Sequence, residues 1–218
     1  MASGEGGMAT RGGPPPKEGL SLQPSLGRVL FLDVESTGLE AESSFVVGVG
    51  FMYEDGSWRH SFASSLSDEA KVVAEAIEEA SRFDSVVTWN GLSFDIPMLV
   101  ARALANGVDP SPLLKPRHID LYRVFRDLVR LGRYGLDDVA KFLGVPKKVQ
   151  LKGSDMPPLY LRALGGDREA LKVIEEHCYD DLQALKKVFD KSRRLVEAYV
   201  EMARAGLTAP TPHGGRSA

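Results

Sequence analysis

Phe31-Leu32-Asp33-Val34-Glu35-Ser36-Thr37-Gly38-Leu39 decides how the rest of the chain is read. The apolar run from Val29 to Leu32 predicts a buried strand that ends on two carboxylates spaced i, i+2. On a strand that spacing aims both side chains at one face. Two anions so close repel each other and lose hydration unless something positive lies between them. Such a pair is either a turn cap with a solvated neighbour or half of a divalent-cation site at a strand end. Acids further along the chain favour the second reading.

The bulk properties bound the class. At 218 residues the chain fits one ordinary domain with tails. A net charge of −3 places no demand for a polyanionic partner on the whole chain. Cys178 is the only cysteine, which excludes an intramolecular disulfide and fits a reducing compartment. No apolar stretch approaches the ~20 residues of a membrane span, and no signal-peptide pattern opens the chain. A cytoplasmic location without membrane attachment is the expectation.

Residues 1–26 are rich in Gly, Pro and Ser and predict a disordered leader, and residues 207–218 a flexible tail. Between them, 27–206 reads as one domain. Phe45–Tyr53 and Trp58–Phe62 predict a hairpin turning at Asp55-Gly56. Ser67 is the expected cap of a helix over Glu69–Ser81, and Ser85–Asn90 reads as a short buried strand. A second helix is predicted from Asp95 to Ala105, a short edge strand at Arg117–Leu121, then helices at Tyr122–Leu131, Leu136–Leu143 and Asp167–Ala205. A meander followed by helix–strand–helix units predicts a mixed sheet with helices on both faces.

Two further acids stand out. Pro97 fits the first turn of its helix, so Asp95 lies at that helix's positive end, as a cap or as a ligand. On the last helix, His177 and Asp181 are spaced i, i+4 and share one face bordering the buried side. That pair is either a surface ion pair or part of a site. A zinc reading of Cys178 fails for want of a second cysteine or a well-spaced histidine.

Asp33-Val34-Glu35, then Asn90 to Phe94-Asp95, then His177 to Asp181, resembles the three motifs of the ribonuclease H-like 3′–5′ exonucleases with four acidic residues. The likeness covers roughly Arg28 to Phe189. It is greatest to the branch holding the YprB-like proteins and the exonuclease domain of family B DNA polymerases. His118-Ile119-Asp120-Leu121 and Arg133-Tyr134 through Leu143-Gly144 are similar to segments that join the second and third motifs there.

The resemblance implies an α/β, three-layer ribonuclease H-like fold with a mixed sheet of about five strands. It implies two divalent cations, Mg²⁺ or Mn²⁺, held by Asp33, Glu35, Asp95 and Asp181. Asp33 would bridge them. Hard oxygen ligands suit such ions, which activate water and steady a leaving oxygen. His177 is the candidate to orient the attacking water. Its place departs from the family, where the last acid is preceded by Tyr at four residues or His at five; here a histidine stands at four. Asp180 is the rival fourth ligand but lacks a Tyr or His at either spacing.

By the same resemblance Thr37, Gly38 and Leu39 would hold the 3′-terminal nucleotide, with Asn90 and Phe94 hydrogen-bonding and stacking on the strand end. Leu39 and Phe94 also suit an ordinary core. Tyr134 and Lys152 are further candidates for contacting the strand. From Lys115 to Lys152 ten basic residues face four acidic ones, a surplus of +6 in a chain of −3. That asymmetry suits a phosphate-gripping rim beside an acidic floor, and a solvated helix face explains part of it.

The implied activity is hydrolysis at single-stranded DNA or RNA 3′ ends, with a polymerase or repair protein as a partner in trans. A non-catalytic nucleic-acid-binding module and a structure-specific endonuclease on the same fold are the alternatives.

Overall fold

The computed structural model describes Met1, residues 26–148, Leu151 and residues 155–207. The leader and tail, apart from their edge residues, lie outside that range, as does Lys152.

Five strands form one sheet in the order β3-β2-β1-β4-β5. They are β1 (Val29–Ser36), β2 (Val46–Tyr53), β3 (Trp58–Phe62), β4 (Ser85–Thr88) and β5 (Arg117–Asp120). β1, β2 and β3 pair antiparallel, while β4 and β5 join parallel to β1. The sheet is therefore mixed, as the meander followed by crossovers predicts.

Alternation along β1 explains the layers. Leu30, Leu32 and Val34 face α1 (Glu69–Ala80) and α2 (Asp95–Ala105), in a core that includes Val73, Ile77 and Leu99. Val29 and Phe31 face the opposite way. They pack with residues of α3 (Leu121–Leu128), α4 (Leu136–Phe142) and α6 (Arg168–Arg204), among them Phe125, Val139 and Phe189. Helices thus cover both faces, and the chain has the three-layer α/β form expected of it. Leu26, one residue before the expected domain start, is buried in the second core. Its carbonyl accepts the Ser85 hydroxyl at 2.6 Å.

Local departures have local causes. A 3₁₀ turn at Leu66–Asp68 precedes α1, so its N-cap is Asp68 rather than Ser67. The Asp68 side chain instead accepts the Ser65 N–H at 3.0 Å, while Ser67 shares a hydroxyl contact with Ser65. α3 stops at Leu128 because Val129 is extended, and the Tyr134 hydroxyl donates to the Val129 carbonyl at 2.9 Å. α5 (Met156–Leu164) has no counterpart in the sequence reading. Its Met-Pro-Pro start looks like a breaker, yet proline is tolerated in a first helical turn, where the N–H has no partner anyway. α5 packs beside α6 and buries Met156, Tyr160 and Ala163.

Candidate active site

Asp33 and Glu35 leave β1 on the face covered by α6. The register sets Asp33 opposite Gly50 of β2. A Cβ at Gly50 would lie 2.8 Å from Leu182 Cδ1 and closer still to Cys178 Sγ. Only glycine lets α6 settle onto the sheet here, and that contact sets the His177–Asp181 turn beside the two β1 acids. The donor atoms of Asp33, Glu35 and Cys178 all lie within 4.8 Å of one another.

Asp95 arrives from the other layer. β4 ends at Thr88, and Asn90 takes a left-handed conformation (φ 60°), which Asn tolerates better than most residues. Its N–H donates to Asp120 at 2.8 Å, which pins the turn to β5. α2 then starts at Asp95, whose Oδ1 accepts the Val34 N–H at 3.0 Å. The N-cap position belongs to Phe94. Asp95 therefore serves β1 as well as its own helix, and its carboxylate reaches the strand position between Asp33 and Glu35.

The electrostatics bind the four acids into one cluster. Burial first, then the Glu35 and Asp181 charges, push Asp33 well above the usual carboxylate range. Burial, then the Asp33 charge, does the same to Asp95, which is 5 % exposed. Glu35, 7 % exposed, is pushed up to about 7 by burial, with Asp181 and Asp95 adding to the effect. Asp33, Glu35 and Asp95 thus each feel at least one other acid of the set. The Cys178 thiol, itself raised by burial and by Asp33, hydrogen-bonds Asp33 as a neutral donor.

His177 Nδ1 stands 3.6 Å from Asp181 Oδ1, both half-buried. That separation is too long for a hydrogen bond. Glu35 Oε1 and His177 Nδ1 are buried without a hydrogen-bond partner among the described residues, whereas Asp181 Oδ1 meets the Lys147 ammonium at 2.7 Å. Asp180 is engaged elsewhere: its carboxylate accepts the Lys148 N–H at 2.7 Å. Tyr179 also faces outward, with its ring 5.0 Å from Trp58.

Two residues join the cluster that the sequence reading did not place there. Tyr160, from α5, donates its hydroxyl to Glu35 Oε2. Lys147 lies between two carboxylates, 2.7 Å from Asp181 and 2.5 Å from Asp137. Burial lowers its ammonium, but Asp181 and Asp137 outweigh that and hold it above its usual value. Lys147 carried a signal, its place in the basic run. Tyr160 carried none once its segment read as a loop.

The candidate strand-binding residues divide. Leu39 is 78 % exposed beside the acids in sequence, so it is no core residue. Thr37 anchors the same loop: its Oγ1 accepts the Phe45 N–H at 2.9 Å, and its own N–H donates to the Phe45 carbonyl at 3.0 Å. The Gly38 carbonyl accepts the Ser36 hydroxyl at 2.6 Å. Phe94 is partly buried against the α1/α2 core. The Tyr134 hydroxyl is already engaged by the main chain at 129 and 131, which assigns it first to holding that loop.

Comparison with known proteins bears on the family and the fold. A family model described as the RNase H superfamily matches residues 30–193. A DNA polymerase of Methanocaldococcus jannaschii is 30% identical over 110 residues, covering 41% of this chain and 7% of the polymerase. The family B DNA polymerase of Pyrobaculum calidifontis superposes with a TM-score of 0.65 at 19% identity, covering 96% of this chain and 32% of that one. The chain thus spans only a small part of each polymerase.

Proposed function

The chain belongs to the RNase H superfamily, and from that premise we propose that it is a metal-dependent 3′–5′ exonuclease acting on single-stranded nucleic-acid ends. The observation that supports the proposal is the meeting of acids from β1, α2 and α6: Asp33 and Glu35 donor atoms within 4.8 Å of one another, Asp95 accepting the N–H of the residue between them, and the Asp181 charge acting on both β1 acids.

The site suits divalent cations. It offers hard oxygen donors, and one of its buried oxygens, Glu35 Oε1, has no hydrogen-bond partner among the described residues. Asp33, Glu35 and Asp181 would hold one Mg²⁺ or Mn²⁺, and Asp33 with Asp95 a second. Bound there, such ions activate water and stabilise charge on the leaving oxygen.

The remaining roles fall to side chains of this chain. Tyr160 fixes one Glu35 oxygen by donating to it, leaving the other free to ligate. His177, beside Asp181, orients the attacking water and accepts its proton. Lys147 offsets the charge of Asp181 and stands ready to meet a phosphate oxygen. Leu39 wedges against the terminal base from the loop that Thr37 anchors. Because the M. jannaschii relative is a DNA polymerase, a polymerase sharing the same 3′ end is the proposed partner in trans.

The test is a 5′-labelled single-stranded oligonucleotide, DNA and RNA in parallel, with Mg²⁺ or Mn²⁺. A ladder shortening from the 3′ end is expected, with loss of at least about 10³-fold in Asp33→Asn and Asp181→Asn. Internal fragments would mean an endonuclease instead. Tight binding with no cleavage under either ion would mean a binding module. Wild-type rates in Asp33→Asn would overturn the assignment of the site.

A further inference from the structure

A pocket lined by none of the four acids lies along the outer edge of β5 between α3 and α6. It is a cavity of about 370 Å³, within the size range of small-molecule sites. β5 is an edge strand, with no neighbouring strand on its outer side among the described residues. Leu92, Tyr199 and Ala203 give the cavity its accessible apolar surface, and Arg117, Arg123 and Arg204 bring three guanidinium groups to it.

The charges in this pocket are poorly matched. Asp120 is its one acidic lining residue, and that carboxylate is already occupied by the N–H groups of Asn90, Leu92 and Tyr122. Arg123 leans on it only at 3.7 Å, and Arg204 has Glu201 at 3.9 Å. Arg117 Nη1 is buried with no hydrogen-bond partner among the described residues. Burial, and the Arg204 charge beside it, lower the Arg117 guanidinium below its usual value. An orphaned guanidinium donor on Arg117, with Arg123 and Arg204 lining the same cavity, makes a place for an anion.

We propose that this pocket binds a nucleoside monophosphate, its phosphate between Arg117 and Arg204 and its base over Leu92 and Tyr199. A phosphomonoester brings a charge near −2, which answers paired guanidinium groups better than a single carboxylate. A flat ring answers the apolar wall, and the volume accepts both parts. Its lining includes none of the four acids, and the proposal does not depend on the hydrolytic reading.

The experiment is isothermal titration of the full chain with deoxyadenosine 5′-monophosphate in EDTA, in an Asp33→Asn/Asp181→Asn background that silences the acidic site. Deoxyadenosine, inorganic phosphate and a glutamate-rich tetrapeptide are titrated in parallel. One site is expected for the nucleotide, with the nucleoside and phosphate each at least ten-fold weaker. Arg117→Gln/Arg204→Gln should weaken nucleotide binding at least ten-fold. Ala203→Trp, at an exposed lining position, should do the same by filling the cavity while leaving the melting temperature unchanged. A flat titration to millimolar nucleotide would overturn the proposal, as would equal affinity in both pocket variants. Phosphate binding as tightly as the nucleotide, or the peptide binding in its place, would overturn the assignment of the ligand.

Discussion

The main-chain N–H of Val34, midway between Asp33 and Glu35, donates to Asp95 Oδ1 at 3.0 Å. One hydrogen bond thereby fastens the start of α2 to the strand that carries the other two acids. The contact has a structural half and a chemical half, and substitution can separate them. Asp95→Asn keeps an acceptor for Val34 and removes a buried charge. Its expected phenotype is cleavage reduced by about 10²-fold or more with thermal stability equal to or above wild type in EDTA. Cleavage assays beside melting curves check it.

The pH dependence of stability follows from the raised carboxylates. Glu35 rises from its ordinary value to about 7 in the folded chain, and Asp33 and Asp95 rise too. The folded protein therefore holds protons that the unfolded chain has released. That contribution is complete below the unfolded value near 4.5 and is lost as pH climbs through about 7. For Glu35 alone it amounts to roughly 3 kcal/mol at most. Metal-free protein should be more stable at pH 5 than at pH 8 by denaturant titration. Millimolar Mn²⁺ should restore stability at pH 8 and do little at pH 5.

Tyr160→Phe removes the hydroxyl that Glu35 accepts. Stability should fall by about 1–2 kcal/mol, the usual loss when a buried charge-assisted hydrogen bond is broken. Cleavage should fall by about 10-fold, less than for an acid, because Glu35 itself remains. Metal affinity, followed by Mn²⁺ titration, should weaken in step.

These residues show where the sequence could be read and where it could not. The three acidic motifs are legible because strand and helix periodicities fix which face each acid takes, and β1, α2 and α6 carry strong apolar patterns. Tyr160 was hidden behind Pro157 and Pro158, which mask a helix whose first turn tolerates them. Lys147 was visible only as one charge among ten, because its partners, Asp137 and Asp181, are brought together by the tertiary fold. Leu39 could not be told from core by its apolar nature alone; its exposure depends on the loop that Thr37 ties to Phe45.

Gly50→Ala tests how α6 is seated. The added methyl group meets Cys178 and Leu182 and must push the helix off β2. A loss of about 1–3 kcal/mol is expected, with cleavage falling because His177 and Asp181 move with the helix. Cys178→Ala in the same chain opens the space again. The double variant should be more stable than Gly50→Ala alone, a coupling measurable as a double-mutant cycle.

Lys147→Met leaves Asp181 without its nearest cation. In EDTA the variant should be destabilised by about 1 kcal/mol or more, since an acid partly withdrawn from water has lost its partner. Saturating Mn²⁺ should shrink that difference by supplying positive charge to the same carboxylate. Melting temperatures of both proteins with and without Mn²⁺ check the prediction.

The central claim is that the four carboxylates together hold divalent cations. Anomalous scattering from crystals soaked in Mn²⁺ tests it most directly. Two peaks are predicted within ligand distance of these acids, roughly 3.5–4 Å apart, with Asp33 touching both and Asp95 touching only one. Manganese bound elsewhere, with none at Asp33 in a protein that still cleaves single strands, would contradict it.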